Sequence, residues 1–152
     1  MKPVKLLIGL FFASMLVFLM FFQGPKSPAV VNQLKCEFQE NPIGIDRANP
    51  TLQWKIEDDR RGAKQTAYQV IVSSSLQNAE NENGDVWDTD QVDSDQSVHV
   101  RYEGTDLEPM QEYFWRVRTW DQNGEVSEWS EPACWETGLM NESNWQARWI
   151  AR

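Results

Sequence analysis

Residues 107–132 constrain the fold of this chain more than any other part of the sequence. They begin with a Leu-x-Pro-x-x-x-Tyr segment, Leu107 to Tyr113, and continue with apolar residues at every second position. Such alternation places successive side chains on opposite faces of a β-sheet. The expected inward face carries Tyr113, Trp115 and Val117, and the expected outward face carries Phe114, Arg116, Arg118 and Trp120. The polar segment 121–124 contains Asn and Gly and predicts a turn after this strand.

Short segments of the same kind recur through the rest of the chain. The predicted strands are 33–39, 51–57, 66–75, 86–87, 97–102, 113–120 and 133–137, and the polar segment 77–85 is predicted to be a loop. A tyrosine at the start of a late strand, with its hydroxyl returned to upstream backbone, is typical of immunoglobulin-like sandwiches. We therefore predict an all-β fold, a fibronectin-III/immunoglobulin-like antiparallel β-sandwich of about seven strands with almost no helix.

Residues 1–29 have the pattern of an export signal. Lys2 and Lys5 precede a 17-residue apolar run from Leu6 to Phe22, and a polar segment follows. Ser27 and Ala29 fit the small-residue rule for cleavage after Ala29, which predicts a secretory signal peptide. The alternative is an uncleaved N-terminal membrane anchor, although the run is short for a span. Both interpretations place the rest of the chain outside the cytoplasm, in the periplasm, at the cell surface or in the medium.

The remaining chain divides into a sandwich, residues 30–139, and a tail, residues 140–152. The tail contains Trp145 and Trp149, which follow the last predicted strand and need an apolar surface to cover them. We expect the tail to be the start of a following β-domain that this chain lacks.

The charge of the chain limits its partners. The formal net charge is −9, and it becomes −12 without residues 1–29, since three lysines and no acidic residue leave with them. A strongly acidic protein repels phosphate backbones, so nucleic acid is excluded as a partner. Contact with a membrane is expected only through an uncleaved leader.

The sequence offers little for catalysis, metal binding or a cofactor. His99 is the single histidine, and the acidic segment 88–95 matches no calcium-loop spacing and is expected to be solvated. Strand alternation turns Cys36 inward and Cys134 outward, which favours two free cysteines over a disulfide. No catalytic, metal or cofactor residue is therefore assigned.

The outward aromatic residues have two interpretations. Trp129 can lie across Arg116 and Arg118, so that indole and guanidinium groups stack and stabilise the sandwich. Alternatively, Trp120 and Trp129 form a sugar-binding face.

The motifs, in order, resemble a known family. They are Asn41-Pro42-Ile43-Gly44-Ile45-Asp46, Pro50-x-Leu52-x-Trp54, Arg61-Gly62-x-x-Gln65-Thr66-Ala67-Tyr68-Gln69-Val70-x-Val72, Val86-Trp87-Asp88, Ser97-Val98, Tyr113-x-Trp115-Arg116-Val117-x-x-Trp120-Asp121, Trp129-Ser130-Glu131-Pro132, Glu136-Thr137-Gly138-Leu139 and Trp145-x-Ala147-x-Trp149-Ile150. They resemble the N-terminal immunoglobulin-like domain of bacterial α-L-rhamnosidases of glycoside hydrolase family 78, over about residues 33–152. The chain has Asp90 where the family usually has glycine, and it has a long acidic loop at 77–85. The family's (α/α)₆ catalytic barrel has no counterpart in these residues.

The resemblance implies a non-catalytic N-terminal β-sandwich domain of an exported α-L-rhamnosidase-like glycoside hydrolase. The chain would be a truncated product that takes part in polysaccharide degradation only together with the catalytic barrel. Its expected partners are the downstream domains of the same enzyme and rhamnose-containing polysaccharide. We expect Trp120, Trp145 and Trp149 at the interdomain contact, and Tyr113, Trp129, Arg116 and Arg118 in structural roles. The alternative is a free-standing cell-surface module that binds carbohydrate or protein.

Overall fold

The computed structural model describes residues 27–145, which form two antiparallel sheets. The strands are β1 (Val30–Cys36), β2 (Thr51–Glu57), β3 (Gln65–Ser73), β4 (Trp87–Asp88), β5 (Val92–Asp93), β6 (Val100–Arg101), β7 (Glu112–Asp121) and β8 (Ala133–Glu136). One short helix, α1 (Leu76–Glu80), and a 3-10 turn at Glu142–Asn144 complete the described residues. Most of the predicted leader and Trp149 lie outside them. Within residues 27–145, no helix has the length and apolar character needed to cross a bilayer.

The two sheets confirm the predicted fold class. The smaller sheet has the order β1-β2-β6, and the larger has the order β4-β3-β7-β8, with β5 also pairing with β3. The long pair β3 and β7 forms the centre of the larger sheet, where Val70 pairs with Val117 and Val72 with Trp115. β1 and β8 are edge strands of the two sheets. The architecture is an immunoglobulin-like β-sandwich.

The core lies between the sheets and is rich in aromatic residues. Along β7, Tyr113, Trp115 and Val117 are buried and the residues between them are half-buried, as the alternation predicts. Trp135 of β8 stacks on Tyr113, with ring centroids 5.6 Å apart, and meets Tyr102 and Trp115 edge to face. Aromatic pairs of this geometry contribute about 0.5–1.5 kcal/mol each beyond the burial of their area.

The first strand differs from its prediction at both ends. β1 begins at Val30 and ends at Cys36, and Phe38 was expected on the buried face but is 55% exposed. The turn after β1 exposes Phe38, because Leu34 and Cys36 just before it are buried as predicted. A bulge between Asn32 and Lys35 shifts the register against β2, and a turn follows β1 in which Glu37 and Phe38 have positive φ. The alternation in the sequence cannot show a bulge, because one extra residue reverses the faces beyond it.

The polar segment after β3 is not entirely a loop. Residues Leu76–Glu80 form α1, and the Ser75 hydroxyl caps it by accepting the backbone N–H of Asn78 at 3.2 Å. Ala79 is completely buried against the outer face of the larger sheet. Because α1 covers part of that face, Ile71 and Ser73 of β3 are buried as well as the inward-facing Val70 and Val72.

Both cysteines are free in the structure. Cys36 is buried in the smaller sheet and Cys134 is half-buried on β8 of the larger sheet. Burial, and to a smaller extent the neighbouring Glu37, raises the pKa of the Cys36 thiol to about 12. Burial and Glu112 raise the pKa of Cys134 too. Neither thiol is therefore an activated nucleophile.

Candidate interdomain surface

Tyr113 fixes the loop that precedes β7. Its hydroxyl accepts the backbone N–H of Glu108 at 2.8 Å, five residues upstream. The Thr137 hydroxyl donates to the carbonyl of Glu108 at 2.6 Å and accepts the backbone N–H of Gln111 at 2.9 Å. Loop 107–111 is therefore held from both sides.

Three segments meet at the end of the sandwich where the chain leaves β8. We call this the exit end and define it as residues 41–46, 107–111 and 138–145. The carbonyl of Ile45 accepts the N–H of Gly138 at 3.0 Å, and the carbonyl of Gly138 accepts the N–H of Met110 at 2.9 Å. Asp46 adds a contact by accepting the N–H of Met140 at 3.2 Å. The three segments therefore form one hydrogen-bonded surface.

The exit end presents large apolar side chains to solvent. Ile43 is 78% exposed, Met110 is 71% exposed and Trp145 is 62% exposed. Trp145 also lines a shallow depression together with Asp46, Leu139, Met140 and Asn141. Met110 and Met140 both have positive φ, 55° and 62°, a conformation that bulky residues rarely adopt.

Arg118 lies between two of the outward aromatic residues. Its guanidinium carbon is 4.6 Å from the ring centroid of Trp129 and 5.3 Å from that of Trp120. Its Nε donates to Gln69 at 2.9 Å, and the Gln69 amide donates to Asp88 at 2.7 Å. The stack and the hydrogen bonds join β7, β3 and β4 across the outer face.

Arg116 takes no part in this stack, contrary to the expectation. Its Nε donates to the carbonyl of Ser130 at 2.7 Å, and its Nη1 donates to the carbonyl of Ala79 at 3.2 Å. Its guanidinium is held by these two carbonyl groups, one of them in α1. The arginine thus ties both α1 and the segment before β8 to β7.

Trp120 and Trp145 do not lie together. Trp120 is the penultimate residue of β7, close to Ala29 and Asp58. The exit end adjoins the opposite end of β7, where Glu112 pairs with Glu136 of β8. A ten-residue strand is about 30 Å long, so one compact contact surface cannot include both tryptophans. Trp149 lies outside the described residues.

An ion-pair network at the end of β7 was not anticipated from the sequence. Arg60 donates to Asp58 and to Asp121, each through an Nη2–oxygen distance of 2.7 Å. Asp121 is 4% exposed and also accepts the backbone N–H groups of Asn123 and Glu125. The Arg-Arg-Gly turn at 60–62 gives no sign of a partner sixty residues away, so the pairing emerges only from the folded topology.

The network shifts the acidity of both carboxyl groups. Hydrogen bonds from the side chain and backbone of Arg60 lower the pKa of Asp58. Burial alone would raise the pKa of Asp121, but the hydrogen bonds from Arg60, Glu125 and Asn123 outweigh it and hold that pKa below its usual range. Both carboxyl groups are charged at neutral pH, and their ion pairs with Arg60 join the turn after β2 to the end of β7.

The described residues contain no cluster of three or more His, Cys, Asp and Glu side chains that could hold a metal ion. His99 packs edge to face on Phe38, with ring centroids 5.1 Å apart. In the acidic segment 88–95, Asp88 accepts from Gln69 and from the backbone of Asp90. These contacts join neighbouring parts of the sandwich.

Comparison with known proteins identifies the family. The sequence model of the Rha78A-like N-terminal immunoglobulin domain matches residues 31–141. An α-L-rhamnosidase from Streptomyces avermitilis is 49% identical over 115 residues, which are 76% of this chain and 11% of the relative. An α-L-rhamnosidase from Formosa agariphila is 40% identical over 113 residues, 74% of this chain and 12% of the relative.

Solved structures give the same result. The Streptomyces avermitilis α-L-rhamnosidase complexed with L-rhamnose superposes with a TM-score of 0.77 at 46% identity and covers 81% of this chain and 12% of that one. The α-L-rhamnosidase from Dictyoglumus thermophilum superposes with a TM-score of 0.79 at 50% identity, covering 81% of this chain and 14% of that one. This chain therefore spans about an eighth of the length of the enzymes it matches. It belongs to the Rha78A-like N-terminal immunoglobulin domain family.

Proposed function

We propose that this chain is the non-catalytic N-terminal domain of an exported α-L-rhamnosidase-like glycoside hydrolase, and that it packs on the next domain through its exit end. The observation that carries the proposal is the apolar exit end, where Ile43, Met110 and Trp145 are exposed beside the point at which the chain leaves the sandwich. Its relatives are single chains about eight to nine times longer than the matched region. An N-terminal domain in such a chain has a covalently attached neighbour at this end.

The physical reason for packing is the cost of leaving these side chains in water. Burying a Leu, Ile or Met side chain gains roughly 1.5–3 kcal/mol, and large exposed apolar patches mark interaction sites. The hydrogen bonds that hold the three segments together mean that the surface is formed before the partner arrives. Packing would therefore cost little ordering entropy.

In this proposal Trp120 has a different role from Trp145. Trp120 flanks Arg118 at the other end of β7 and supports the sandwich, while Trp145 belongs to the contact surface. Action on rhamnose-containing polysaccharide would belong to the catalytic domain of the complete enzyme. The domain would serve outside the cytoplasm by holding that enzyme's domains in a fixed arrangement.

The purified 152-residue chain allows a direct test. We expect no hydrolysis of a chromogenic α-L-rhamnoside, no saturable binding to a rhamnose-containing polysaccharide, and binding of a fluorescent hydrophobic dye. The double substitution I43E/M110E should reduce dye binding strongly. V98E, at a 51% exposed position away from the exit end, serves as the matched control and should change it little.

Two results would contradict the proposal. Polysaccharide binding that disappears in Trp120→Ala would identify a free-standing carbohydrate-binding module. Equal dye binding by I43E/M110E and V98E would show that the exit end is not the exposed apolar surface of the domain.

A further inference from the structure

The three residues before β1 belong to the folded domain. Ser27 is 5% exposed and Ala29 is 9% exposed, while Pro28 between them is exposed. Val31 continues the same alternation, with 5% exposure. The inward face of the first strand therefore starts at Ser27, two residues before the point at which sequence analysis predicts cleavage.

Hydrogen bonds anchor Ser27 to the far sheet. Its backbone N–H donates to the carbonyl of Val126 at 2.9 Å. Its hydroxyl donates to Asp121 at 3.3 Å and accepts from Arg60 at 3.2 Å. Ser27 is thus a member of the network that joins Arg60 to the buried carboxylate of Asp121.

Hydrolysis of the peptide bond after Ala29 would remove these contacts. The domain would lose two buried side chains, the hydrogen bond to Val126 and one donor to Asp121. Ser27 and Ala29 are the same small residues that satisfy the cleavage rule. Their identity has a second explanation, because both are buried in the fold.

We propose that the exported chain keeps Ser27, Pro28 and Ala29, and that any cut by a signal peptidase lies before Ser27. This inference rests on the packing of residues 27–31 and on the export that the proposed function includes, but not on the role of the exit end. It assigns the small residues near position 29 to the fold and not to the processing site.

The full chain, expressed in a bacterium with its own leader, tests the inference. Intact-mass measurement and N-terminal sequencing of the exported or membrane-bound protein identify its first residue. We expect a chain that still contains Ser27. A first residue of Val30 would overturn the proposal.

A second full-length chain shows that the host peptidase can act near this position. The double substitution Gln23→Ala and Pro25→Ala places a pair of small residues upstream of Ser27, and we expect a cut after position 25 that releases a domain with unchanged melting temperature. If this chain is instead cut after Ala29, the proposal fails, because the packing of residues 27–31 would then not keep the peptidase from cutting there.

The contribution of Ser27 to the stability of the domain is tested separately by Ser27→Ala in the otherwise unchanged full-length chain. We expect a melting temperature lower by several degrees, on the order of 5 °C, because Asp121 and Arg60 lose a shared partner. Ser143→Ala, at an exposed position in the 3-10 turn, is the matched control. Equal melting temperatures for the two variants would remove the reason for retaining residues 27–29.

Discussion

At the scale of single residues, the stability of this domain depends on a few polar contacts in an aromatic core. Tyr113 combines both kinds of interaction, because its ring stacks on Trp135 and its hydroxyl holds loop 107–111. Arg118 does the same on the outer face, where it stacks with Trp120 and Trp129 and donates to Gln69.

Tyr113→Phe should lower the free energy of unfolding by about 1 kcal/mol, because it removes one hydrogen bond and leaves the N–H of Glu108 without its partner. Urea denaturation followed by tryptophan fluorescence measures the change. Tyr68→Phe is the control, since within residues 27–145 the Tyr68 hydroxyl makes no hydrogen bond while its ring is buried to a similar extent. If Tyr68→Phe lost as much unfolding free energy, the hydrogen bond from Glu108 to the Tyr113 hydroxyl would contribute nothing.

Arg118→Ala should lower the free energy of unfolding by about 1.5–3.5 kcal/mol, the sum expected for two cation–π contacts and one hydrogen bond. The fluorescence of Trp129 should also change, because its ring loses the cation above it. Arg101→Ala, at an exposed position on β6, should change stability by less than about 0.5 kcal/mol. Equal losses of unfolding free energy in Arg118→Ala and Arg101→Ala would contradict the structural role of the stack.

At the scale of elements, alternation in the sequence was enough to locate the longer strands but not the short features. β2 matches its prediction at both ends, and β3 and β7 agree within two residues, because each alternates over seven or more positions. β5 has only two residues and was not predicted. α1 was not predicted either, because it lies in a polar segment whose composition is typical of a loop. The turn that follows β1 exposes Phe38, although Leu34 and Cys36 before it are buried as predicted. The network of Arg60 and Asp121 could not be found, because it depends on which loops the topology brings together.

The turn between β4 and β5 contains a residue in the left-handed backbone conformation. Asp90, where the resemblance led us to expect glycine, has a φ of 51°. Aspartate tolerates this left-handed conformation better than most residues, with side-chain help, but glycine has no steric cost there.

Asp90→Gly should therefore raise the free energy of unfolding by about 0.5–1 kcal/mol. Thermal unfolding is the measurement. Gly124→Ala is the converse test, since Gly124 has a φ of 77° with open space around it, and it should lower stability by about 1 kcal/mol. A destabilising Asp90→Gly would show that the Asp90 side chain contributes more than the backbone conformation costs.

At the scale of the whole molecule, the two ends of the sandwich differ in the side chains that they present. One end holds Ser27, Arg60 and Asp121 and fixes the start of the domain, and the exit end presents apolar side chains about 30 Å away along β7.

The network at the first end predicts a loss of stability in acid. The pKa values of Asp58 and Asp121 are lower in the folded state than in the unfolded chain. Their contribution is therefore complete above the unfolded value of about 4 and is lost as the pH falls through the folded values. Asp121→Asn should be less stable at pH 7 and should lose less stability between pH 4 and pH 2. If the free energy of unfolding fell by the same amount with pH in the unsubstituted chain and in Asp121→Asn, this prediction would be contradicted.

The central claim is that the exit end packs on the next domain of a rhamnosidase, and a chimera tests it most directly. Residues 27–145 would replace the N-terminal immunoglobulin domain of the Streptomyces avermitilis α-L-rhamnosidase, and thermal unfolding and rhamnoside hydrolysis would be measured with and without I43E/M110E. The account predicts an active chimera whose melting temperature falls with I43E/M110E and not with V98E, while the isolated domain is unaffected by either. Equal melting temperatures for the two chimeric variants would contradict it.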